Sequence, residues 1–115
     1  MNPSNRMVRK DPYLLLAEKV GYEVAEKLYL GEKVEGIHAW RVLDEIRANY
    51  DVKPLYEDEE LGNGECYVFA GVFDEQYVIV LEKIGGSSYL QLLPREEMNE
   101  ETLLKTLEKD IEKCK

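Results

Sequence analysis

The chain has one histidine, His38, and two cysteines, Cys66 and Cys114. A lone histidine near a predicted helix start, with no Cys or carboxylate at ligand spacing, reads as a surface or cap residue rather than a ligand or base. Two cysteines are too few for a disulfide scaffold, and both are expected to be reduced and buried. No stretch approaches the ~20 apolar residues that span a bilayer, and none resembles the apolar region of a signal peptide. The expected compartment is therefore the cytoplasm. Gln occurs only at Gln76 and Gln91, whereas Glu and Lys dominate the charged residues. That usage resembles thermophile proteins.

Positive charge is also scarce. The 15 Lys and Arg face 24 Asp and Glu, which gives a formal net charge of −9. Such a field repels phosphate backbones and attracts basic partners, so nucleic-acid binding is disfavoured. The hydrophobic share of 44% argues against wholesale disorder. A chain of 115 residues suits one domain with one compact core.

Catalytic signals are thin. The hydroxyls of Ser4, Ser87, Ser88, Thr102 and Thr106 stand at no meaningful spacing from His38. Gly85-Gly86-Ser87-Ser88 has the composition of a phosphate cradle, yet it joins two predicted strands instead of opening a helix. Among the many acids no carboxylate pair stands out. A non-enzymatic protein is expected, with no cofactor and no metal.

The densest apolar stretch runs from Cys66 to Leu93, and the chain is organised around it. Tyr67, Val68, Phe69, Val72 and Phe73 form one β-branched and aromatic run; Tyr77, Val78, Ile79, Val80 and Leu81 form a second. Asp74-Glu75 separates them at two-residue spacing, although Glu resists φ > 0 and a slightly longer loop would fit as well. Gly85-Gly86 is the better turn. With two residues in each turn, Val72 faces Tyr77, Ala70 faces Ile79, Val68 faces Leu81, and Leu81 faces Leu90. One sheet face then carries Val68, Ala70, Val72, Ile79, Leu81, Leu90 and Leu92, ready to pack on helices. The other carries Tyr67, Phe69, Phe73, Val78, Val80, Tyr89 and Leu93, interrupted by Gly71, Gln76, Glu82 and Gln91. That second face is either covered by the chain itself or meets a partner. Tyr67, Phe69, Phe73, Tyr89 and Gln91 make the candidate interface, with a homodimer as one use of it.

Residues 1–10, with Arg6, Arg9 and Lys10, read as a flexible basic arm, and 11–115 as a single α+β domain. Asp11-Pro12 opens a helix to about Leu30 that stops at Gly31. Leu14, Ala17, Gly21, Val24, Ala25 and Leu28 form its apolar stripe, and Ala17, Gly21 and Ala25 predict close approach of a neighbouring element. A second helix covers roughly Ile37 to Tyr50, burying Ala39, Leu43, Ile46 and Tyr50 with Trp40 and Val42 beside them. Pro54 interrupts the next segment, and Leu55-Tyr56 allows a short fourth edge strand. Glu57, Asp58, Glu59 and Glu60 follow. They lack the order of a calcium loop and read as a solvated loop or an acidic docking patch. Asn99 caps a last amphipathic helix toward Lys115, with Leu103, Leu104, Leu107, Ile111 and Cys114 inward and Glu101–Lys105 as an outward pair. It is expected to pack on the aliphatic face of the three-stranded antiparallel meander.

The resulting expectation is a cytoplasmic, non-enzymatic acidic protein–protein interaction or adaptor module from a thermophile, with a basic protein partner and no membrane. The alternatives are a winged-helix-like regulator, a small-molecule pocket built from Tyr67, Phe69, Phe73, Tyr89 and Trp40, and an acidic inhibitor of a nucleic-acid-binding protein.

Overall fold

A computed structural model describes residues 12–60, 62 and 64–114. The expected basic arm over 1–10 and the Asp11 cap lie outside the described residues. The elements are α1 (Pro12–Val20), α2 (Tyr22–Tyr29), β1 (Val34–Glu35), α3 (Ile37–Asn49), β2 (Val52–Glu60), β3 (Cys66–Phe73), β4 (Tyr77–Ile84), β5 (Ser87–Pro94), a 3₁₀ turn (Arg95–Glu97) and α4 (Glu100–Glu112). All five strands join one antiparallel sheet in the order β1-β5-β4-β3-β2. The α+β class holds, and the expected meander is the middle of a larger sheet.

The short fourth edge strand expected at Leu55-Tyr56 is part of the longer β2, and β1 is an unexpected fifth; both sit at edges. β1 lies inside the expected loop after α2, where Val34 pairs with Leu90. β2 is nine residues long, although Asp, Glu and Pro are poor strand formers. An edge tolerates them: the acids reach water, and an edge strand can spare the N–H that Pro54 lacks. The β2–β3 register slips between Pro54 and Tyr56, which marks the irregularity.

The β3–β4 register departs from expectation by one residue. Its loop holds three residues, because Phe73 pairs with Tyr77. Asp74 and Glu75 take φ of 55° and 58° despite their side chains. The Arg95 N–H donates to Gln76 O at 2.8 Å, and its guanidinium to Glu75 O at 3.4 Å, which ties down the turn. Val72 therefore faces Val78, and Val68 faces Glu82. The Gly85-Gly86 turn keeps two residues, so Leu81 faces Leu90 as expected.

That single shift re-sorts the faces. Phe69 and Phe73 join Ile79, Leu81, Leu90 and Leu92 under α1, α2 and α3, against Leu15, Leu16, Leu28, Leu43 and Ile46. Val68, Ala70, Val72, Val78 and Val80 lie under α4, against Leu107 and Ile111. Both sheet faces are thus covered by the chain's own helices. Each fully buried large apolar side chain contributes roughly 1.5–3 kcal/mol, so the three-helix side holds most of the apolar stabilisation.

The first expected helix is two helices. Gly21, at φ 99° and ψ 153°, breaks it between α1 and α2. A Cβ at Gly21 would meet nothing within 4 Å, so this glycine supplies conformation, not the close approach expected of it. Leu14, expected in the apolar stripe, is exposed, while Leu15, Leu16, Ala17 and Val20 are buried. The helix over Ile37–Asn49 buries Ala39, Val42, Leu43 and Ile46, close to the expected stripe.

At α4 the Asn99 side chain accepts from Thr102 N at 3.0 Å, and Glu101 pairs with Lys105 at 3.4 Å. The cysteines are not reduced. Cys66 at the start of β3 and Cys114 just past α4 form a disulfide across 48 residues. Seating the apolar stripe of α4 on β3 brings the two together, and a link of that span contributes about 4 kcal/mol by loop-closure entropy.

Candidate interaction surface

β2 ends the sheet, paired with β3 alone among the described strands. Strand alternation splits its four acids between the two faces. Glu57 and Glu59 stand opposite Phe69 and Tyr67 on the three-helix side, whereas Asp58 and Glu60 stand opposite Val68 and Cys66 on the α4 side. Glu57 and Glu59 are exposed; Asp58 and Glu60 are half-buried. The expected acidic patch is therefore an acidic strand edge, not a loop.

Tyrosines brace it on each side. The Tyr67 hydroxyl donates to Glu57 Oε2 at 2.5 Å, and the Tyr56 hydroxyl donates to Asp58 Oδ2 at 3.2 Å. Burial and then the Asp58 hydrogen bond push the Tyr56 phenol up to about 12. Burial likewise raises the Tyr67 phenol, reinforced by the Glu57 hydrogen bond and opposed by Arg47. Trp40 of α3 stacks on Tyr67 with centroids 5.7 Å apart, and the Arg47 guanidinium lies 4.3 Å from the centre of the Phe69 ring. An aromatic and cationic shelf from α3 and β3 thus borders the edge.

The five candidate interface residues do not form one surface. Phe69 is 1% exposed and Phe73 0%, both inside the three-helix core. Phe69 lies beneath Arg47, and of the five only Tyr67 offers partly exposed surface on the shelf. Tyr89 and Gln91 point to the opposite face, where the α2–β1 connection covers them: Gln91 Nε2 donates to Gly31 O at 2.7 Å, and Lys33 Nζ sits 4.3 Å from the Tyr89 ring centre. The expected aromatic pocket fails for the same reason, since its rings are split between faces. The winged-helix expectation also lacks its geometry, because the hairpins belong to a sheet layered between helices.

A carboxyl pair escaped the sequence. Glu82, 5% exposed, accepts from the Tyr89 hydroxyl and meets Asp110 of α4. Burial foremost, then Asp110, raises its pKa; Tyr89 and Lys33 act the other way. The period-two series Val78, Val80, Glu82 carried the signal for an inward carboxyl. Such a group can hold a proton. The clefts of about 470 Å³, one bounded by Asp51, Lys53, Asp74, Glu75 and Arg95 and one by Tyr22, Lys27, Lys33, Glu35 and His38, include neither Glu82 nor Asp110.

Among the described residues, no group of three or more His, Cys, Asp and Glu side chains is placed to hold a metal ion. Among them, too, no helix is long and apolar enough to cross a membrane. No protein-family model matches the chain, and neither a curated protein nor a solved structure does.

Proposed function

We propose that this domain is a non-enzymatic acidic interaction module that receives an extended basic segment of a partner protein along β2. The observation that carries this reading is the nine-residue edge strand with Glu57 and Glu59 exposed on it, beside the Trp40–Tyr67 stack. An edge strand offers main-chain donors and acceptors to an added strand, and flanking side chains set the specificity. Here the flanking charge is negative within a molecule of net charge −9, which steers basic segments toward it. The same acids repel a second copy of β2, so edge-to-edge pairing between copies is opposed. An arginine of the partner would gain further from the exposed parts of the Trp40 and Tyr67 rings.

Cytoplasmic residence in a thermophile belongs to this reading. The Cys66–Cys114 link accords with it, since intracellular proteins of hyperthermophiles are often disulfide-bonded.

The test is a titration with an extended Lys/Arg-rich peptide and an acidic control at low salt, followed by amide chemical shifts. Binding of the basic peptide alone, with shifts centred on Val52–Glu60, is expected. A Glu57→Lys, Glu59→Lys double variant should weaken binding at least about tenfold while leaving the fold intact. No binding, or shifts centred elsewhere, would overturn the proposal.

A further inference from the structure

The layers on the two sides of the sheet are built unequally. Three helices cover one side, with Leu15, Leu16, Leu28, Leu43 and Ile46 all buried against it. One helix of 13 residues covers the other, and only Leu107 and Ile111 of it are fully buried. A helix of that length is marginal in water without its packing surface. The far end of α4 is held by the bond from Cys114 to Cys66, and Glu82 and Asp110 set two carboxyl groups against each other in the same seam. Cys66 is buried and Cys114 half-buried, so an incoming thiolate reaches the Cys114 sulfur first.

We infer that α4 is a latch released by thiol–disulfide exchange, opened by a dithiol reductant while the α1–α3 layer stays folded. One thiolate of the dithiol attacks Sγ of Cys114, and Cys66 leaves as a thiolate that takes up a proton. The second thiol of the dithiol then displaces Cys114, closing the reductant's own disulfide. Two electrons pass from the dithiol to the cystine, and both protein sulfurs end as thiols. With β3–β5 still folded, the link closes only the roughly 20 residues from Arg95 to Cys114, and removing it multiplies the open population of α4 by roughly a few hundredfold. Opening uncovers Val68, Ala70, Val72, Val78 and Val80, whereas Phe69, Phe73, Ile79 and Leu81 stay covered. This inference does not depend on what binds β2.

The experiment is amide hydrogen exchange on the full chain before and after dithiothreitol, with thiol titration to confirm that both cysteines are free. Amides of Glu100–Glu112 are expected to exchange at least about a hundredfold faster after reduction, while those of Ile37–Asn49 change less than about threefold. A Cys114→Ala variant should reproduce the reduced pattern without reductant. Unchanged protection of Glu100–Glu112 with both thiols free would overturn the inference. So would simultaneous loss of protection in every element, or a Cys114→Ala variant that exchanges like the oxidised protein.

Discussion

Glu82 of β4 and Asp110 of α4 bring their carboxyl groups together across the seam between sheet and helix. Burial favours the neutral form of Glu82 and raises its pKa above the ordinary 4.5. A carboxyl whose pKa is raised on folding stabilises the fold fully below its unfolded value, and this contribution is lost as pH rises through the folded value. Glu82→Gln keeps an acceptor for the Tyr89 hydroxyl and cannot ionise. It is expected to raise the thermal midpoint by a few degrees near about pH 8 and to lose that gain near about pH 4. Circular-dichroism melts at the two pH values check this, and equal effects at both would contradict it.

Gly21→Ala should destabilise by about 1–2 kcal/mol in urea unfolding, because Ala is strained at φ 99°. Ala normally favours a helix interior over Gly by about 1 kcal/mol. A stabilising result would therefore mean that α1 and α2 are one continuous helix.

Phe73→Ala should cost about 3–5 kcal/mol, since the ring is fully buried against Tyr50 at 5.0 Å between centroids. Urea midpoints measure this. An unchanged midpoint would place the ring on a surface.

Gly71→Ala tests how closely β2 and β3 approach. The added Cβ would stand 2.6 Å from Val52 Cγ1 and 3.0 Å from the Phe69 ring. A loss of about 1–3 kcal/mol in urea unfolding is expected, from overpacking. A neutral outcome would mean that the strand pair relaxes freely there.

The strands of the meander, the helix over Ile37–Asn49 and the last helix were legible because apolar periodicity and caps agree there. Asn99 and the Leu107/Ile111 stripe act as their residue types suggest. The β3–β4 register was not legible, because it depends on Asp74 and Glu75 both adopting a left-handed backbone that their side chains disfavour. One residue of slip then moved Phe69 and Phe73 from a face read as either self-covered or partner-binding into the three-helix core. β2 was legible only at Leu55-Tyr56, which read as a short edge strand; its extension over the four acids was hidden, because they read as loop and only an edge position makes them a strand. β1, at two residues, is too short to carry a pattern. Cys66 and Cys114 meet only because α4 lies on β3, which neither spacing nor composition reveals. The acidic edge was half legible, since the charges were read correctly and their strand was not.

Strand addition along β2 is tested most directly by amide exchange over Val52–Glu60 in the oxidised protein, free and saturated with an extended Lys/Arg-rich peptide. The β2 amides not bonded to β3 should exchange rapidly in the free protein and slow at least about tenfold in the complex. Unchanged exchange at those amides in a saturated complex would contradict a partner strand on this edge.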